Sequence, residues 1–92
     1  MSKVYNETGL VLQAGNFTIV KKAGVKGDLI PKHNHPEANV TFTVVKGKVK
    51  AFINESTEYI LTPGDILHFD GDNYINAEFL EESEAFVHLI LK

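Results

Sequence analysis

Two of the chain's four histidines, His33 and His35, stand one residue apart in the stretch IPKHNHPEANV, residues 30–40. On a β-strand alternate side chains share a face, so both imidazoles would project the same way. Neutral imidazole is a common metal ligand, and a His-x-His pair is how a site for a divalent ion begins. Glu37 and Asn39 follow in the same stretch and carry oxygens that such a site uses. His68 and His88 have the opposite parity. In DILHF the apolar Leu67 and Phe69 take the inner face, and in AFVHLILK His88 shares an outer face with Phe86 and Ile90.

Other chemistries find little support. The chain has no cysteine, hence no thiolate nucleophile, thiolate ligand or disulfide. There is no Ser/His/Asp order, phosphate-cradling glycine loop or dinucleotide fingerprint. GVKG at 24–27 reads as a turn because it does not open a helix. Tyr59 and Tyr74 are candidate proton donors, but no aspartate is placed to orient a histidine base beside them.

The elements that must hold these residues are strands. Short apolar runs recur about every ten residues, separated by Gly, Asn, Asp and Pro, the pattern of an all-β barrel or sandwich. They are LVLQ, FTIVKKA, LIPKHNH, VTFTVV, KVKAFIN, EYILT, ILHF, NYINAEF and AFVHLILK. TPGD at 62–65 has Pro second and Gly third, as a type II turn requires. Alternation places Val40, Phe42, Val44, Val49, Ala51, Ile53, Leu67 and Phe69 inward. The last run is apolar on both faces, so both should be covered, the outer one by the N-terminal strand or by another subunit.

Composition sets the limits. Ninety-two residues, 43% hydrophobic and 23% charged, make one soluble domain over 1–92, with residues 1–14 an N-terminal strand segment available for exchange between subunits. A net charge of −3 argues against nucleic acid as the main partner. Lys46, Lys48 and Lys50 read as a solvated strand face. No apolar run approaches the roughly 18–20 residues that span a bilayer, and no signal core follows the N-terminus, so no membrane partner and a cytoplasmic location are expected.

Taken together, Gly27, then DLIPK, His33, Asn34, His35, then PEAN, Val40, then TFTVVK and Gly47, resemble the first motif of the small single-domain, RmlC-like cupins. That motif is Gly, five residues, His-x-His, three or four residues, Glu, six residues, Gly. Gly64-Asp65 resembles the opening of the family's second motif. The resemblance implies a jelly-roll barrel. In the family, three histidines and a glutamate hold one divalent ion. Here Val40 stands at the glutamate position and Ile75 at the third histidine.

A degenerate metal site is therefore expected, with His33 and His35 kept and any divalent ion weakly bound. The expected function is binding of an unidentified small molecule in the barrel mouth, at a pocket of Val40, Phe42, Phe69 and Ile75 beside the two histidines. A homodimer is expected. Two alternatives stay open: a metal-dependent dioxygenase or isomerase using His33, His35 and a non-standard third ligand, and a metal-free sugar epimerase.

Overall fold

The computed structural model describes residues 2–92; Met1, part of the expected N-terminal segment, lies outside them. Nine strands form where nine apolar runs were read: β1 (Gly9–Gln13), β2 (Phe17–Gly24), β3 (Leu29–His33), β4 (Ala38–Lys46), β5 (Val49–Ile53), β6 (Thr57–Leu61), β7 (Ile66–Asp70), β8 (Ile75–Phe79) and β9 (Ser83–Leu91). Among the described residues there is no helix. All neighbouring strands are antiparallel, in a five-stranded sheet of order β1-β2-β9-β4-β7 and a four-stranded sheet of order β3-β8-β5-β6. The two sheets face each other as a jelly roll.

The alternation of apolar and polar residues decides which faces meet. Val40, Phe42 and Val44 of β4, Val49 and Ala51 of β5, and Leu67 and Phe69 of β7 are buried as expected. Ile53 is half-buried and packs against this cluster. Ile75, Ala77 and Phe79 of β8, Leu61 of β6 and Ala85 of β9 complete the core. Each large apolar side chain removed from water contributes roughly 1.5–3 kcal/mol, which explains why the sheets close on one another.

Turn chemistry fixes the register. Gly64 has φ +98° in the Thr62–Asp65 turn, which closes with Asp65 N donating to Thr62 O at 3.0 Å. The Asp65 carboxylate also accepts from Thr62 N at 2.9 Å. Asn54 and Glu55 both take positive φ in the three-residue connection between β5 and β6, as the central residues of a turn closed by Ser56 N donating to Ile53 O at 3.2 Å.

One element differs from expectation. The pairing slips between Ile30 and His33, where Pro31 offers no N–H, and resumes at His33. The strand read through His35 ends at His33, and His35 instead opens a turn closed by Ala38 N donating to its carbonyl at 3.0 Å. β1 pairs with β2 of its own chain as the edge of its sheet, so it lies beside β9's sheet position rather than over its outer face.

Candidate functional site

β3 delivers His33, and the turn that follows delivers His35. His33 Nδ1 lies 2.7 Å from the Pro31 carbonyl. Since a carbonyl only accepts, Nδ1 carries the proton, and Nε2 is the nitrogen left for other contacts. His35 is held by its backbone: its N–H donates to Gly71 O at 2.9 Å, and its carbonyl accepts from Ala38 N at 3.0 Å. Gly71 N in turn donates to Ala38 O at 2.9 Å. Gly71 is buried, and a Cβ there would run into the carbonyls of His35 and Ala38. Glycine at 71 therefore lets the β7–β8 turn approach closely enough to position His35.

The result brings the two rings together, with centroids 4.9 Å apart and planes at 82°. Both line a cavity of about 400 Å³, together with Val40, Phe42, Phe69 and Ile75, the four apolar positions read from sequence. Val20 and Lys22 of β2, Ile30 and Pro31 of β3, and Val87 and Leu89 of β9 complete the lining. The cavity thus lies between the sheets on the side where β2 and β3 face each other. No carboxylate belongs to its lining.

Electrostatics follow from this placement. Burial holds the pKa of His35 below the ordinary histidine value; His33 and Lys22 push it the same way, and Glu37 opposes them. His35 is accordingly a neutral imidazole at neutral pH. The Glu37 carboxylate lies 3.8 Å from His35 Nδ1, beyond a hydrogen bond.

A family model described as the cupin domain matches residues 24–85. The chain belongs to the cupin family. Among solved structures, this cupin is similar to an RmlC-like cupin with a double-stranded β-helix fold from Methanocaldococcus jannaschii (TM-score 0.85, 16% identity, covering 99% of this chain and 92% of that one). It is also similar to KdgF from Halomonas sp. (TM-score 0.82, 19% identity, 90% of this chain and 76% of that one). A third similar structure is an uncharacterized conserved protein with a double-stranded β-helix domain from Klebsiella pneumoniae (TM-score 0.81, 23% identity, 99% and 80%). At these identities the likeness concerns the fold. No curated protein matches the chain.

Cupins often hold a metal, and the donors present here do not fit one. Val40 and Ile75 are buried and have no ligating atom. Asn39 alternates with the inward Ala38 and Val40 and pairs with Asp70 and Ile90, which turns it away from the cavity. Asn76 likewise alternates with the buried Ile75 and Ala77. Glu37 is the one carboxylate within 4 Å of either ring among the described residues. No group of three or more His, Cys, Asp or Glu comes together among them. Two neutral imidazoles fall short of the three or four protein ligands that hold such ions firmly.

The epimerase alternative lacks its acid at the cavity. Tyr59 and Tyr74 are both exposed and outside the lining, and Tyr74 stacks under Lys32 with the ammonium 5.2 Å from the ring centre.

Sequence reasoning missed Lys22. Its face was legible, since FTIVKKA puts it on the same side as Val20. That this side meets β3 was not, because facing strands of different sheets share no local signal.

Proposed function

We propose that this cupin binds a small organic molecule in the cavity between β2 and β3. The observation that carries this reading is the lining: eight apolar side chains, Pro31, and a polar edge of only Lys22, His33 and His35 around about 400 Å³. Ligand pockets have this character, and this one lies near the small end of their usual range of roughly 300–1,000 Å³. Replacement of the family's glutamate and histidine by Val40 and Ile75 makes the interior suited to an apolar body rather than an ion. Any divalent ion is held weakly, by His33 and His35 alone.

The reading includes a homodimer. The outer face of the five-stranded sheet carries Leu12, Phe17, Ile19, Phe86 and Ile90, aligned by register across β1, β2 and β9. Within it the Nδ1 of His88 is buried with no hydrogen-bond partner among the described residues. Such a face suits a two-fold contact, the commonest closed arrangement.

The test is a fragment screen followed through methyl resonances. Binders are expected to shift Val20, Ile30, Val40, Ile75, Val87 and Leu89 saturably. A diverse library that leaves all six unmoved would sink the reading.

A further inference from the structure

Resting on the cavity reading above, the geometry points to a more specific ligand: a small apolar molecule bearing one carboxylate, with its body among the apolar side chains and its carboxylate against the ammonium of Lys22. Lys22 occupies an inner-face position. It pairs across the sheet with Ala85, which is fully buried, and it alternates with Val20, which lines the cavity. Lys22 itself is exposed, so its ammonium stands in water at the open rim of the cavity while its stem contributes to the lining.

Lys22 has no carboxylate within 4 Å among the described residues, as is also true of Lys3, Lys26, Lys48 and Lys50; of these five, Lys22 is the one that lines the cavity. Asp28 shares a groove with Lys22 along the β2–β3 seam, but its carboxylate accepts from Val25 N at 2.8 Å and is not within ion-pair distance of the ammonium. Every ionisable group on the cavity lining is basic: Lys22, His33 and His35. A cationic ligand would meet only basic groups, whereas an anionic group at the rim meets the Lys22 ammonium.

The Nδ1–H of His33 is already committed to the Pro31 carbonyl. His35, whose burial disfavours the imidazolium, has one N–H to donate but no charge to set against an anion. The Lys22 ammonium, with three donors at the rim, is therefore assigned the carboxylate. A hydrogen-bonded pair with a charged partner discriminates by about tenfold or more against a neutral replacement.

The experiment compares phenylbutyrate with phenylbutyramide, its neutral isostere, by titration of the cavity methyls and calorimetry at neutral pH and low ionic strength. The intact protein is expected to bind the acid about tenfold more tightly than the amide. Lys22→Met should bring the two probes level, and Lys22→Arg should keep the preference. Equal binding of acid and amide at the cavity methyls overturns the carboxylate assignment and leaves the cavity reading standing. A preference that survives in Lys22→Met also overturns it. If neither probe moves those methyls, both readings fall together. Should Lys22→Met lose its fold in a thermal melt, the acid–amide comparison on the intact protein and on Lys22→Arg still decides.

Discussion

At the residue scale, His35 links the site to stability. Its pKa is lowered first by burial and then by the neighbouring His33 ring, so the folded chain disfavours the imidazolium. The unfolded chain therefore takes up this proton first as the pH falls through the ordinary value of 6.5. The sign follows: His35 lowers stability progressively below that pH, and its effect levels off once the folded ring titrates too. Urea unfolding at a series of pH values from 7.5 down to 5 should show this decline, and His35→Gln should make it shallower. An identical slope in the variant would show that His35 is not responsible. The lowered pKa values of Asp70, paired with Lys92, and Glu82, paired with Lys46, act in a separate window below the ordinary carboxylate range.

At the element scale, β4 and the β7–β8 turn do different jobs. Phe42 lies at the centre of β4, 2% exposed, between Leu67 of β7 and Val87 of β9. Phe42→Ala should cost about 3–5 kcal/mol in chemical unfolding, because the sheets on either side cannot collapse into the space. A loss below about 1 kcal/mol would mean that the strand's packing face had been misassigned. The turn is limited by backbone rather than by side chain. Gly71→Ala forces a methyl group against the His35 and Ala38 carbonyls, with an expected cost of about 1–3 kcal/mol. It should also move the His35 ring resonances more than those of the outward-facing His68. Unchanged His35 resonances would separate the turn from the site.

At the scale of the whole molecule, the apolar outer face sets the expectation for assembly. Ile90 is 42% exposed and pairs with Phe17 on one side and Asn39 on the other, at the end of the row that includes Phe86 and His88. Light scattering at micromolar concentration should give a dimer mass. Ile90→Glu should give a monomer with a lower melting temperature, since folding and association are linked. A monomer mass for the unsubstituted chain would end this idea.

Much of this was legible along the chain because period-two alternation is a local signal. It set the parity of β4, β5 and β7, turned His68 and His88 outward, and placed Gly64 where a turn needs positive φ. The spacing from Gly27 to Gly47 was likewise readable, as was the lack of any ligating atom at Val40 and Ile75. Three things required the folded chain. The strand stops at His33, so His35 lies in the following turn and is placed by Gly71, some 36 positions away in sequence. Lys22 became part of the site only when β2 and β3 were seen to face each other. The union of Val20, Ile30 and Leu89 around one cavity came from the same packing. Alternation tells a side chain which face to take; which strand of the opposite sheet it then meets depends on how two twisted sheets stack, and no run of neighbouring residues encodes that.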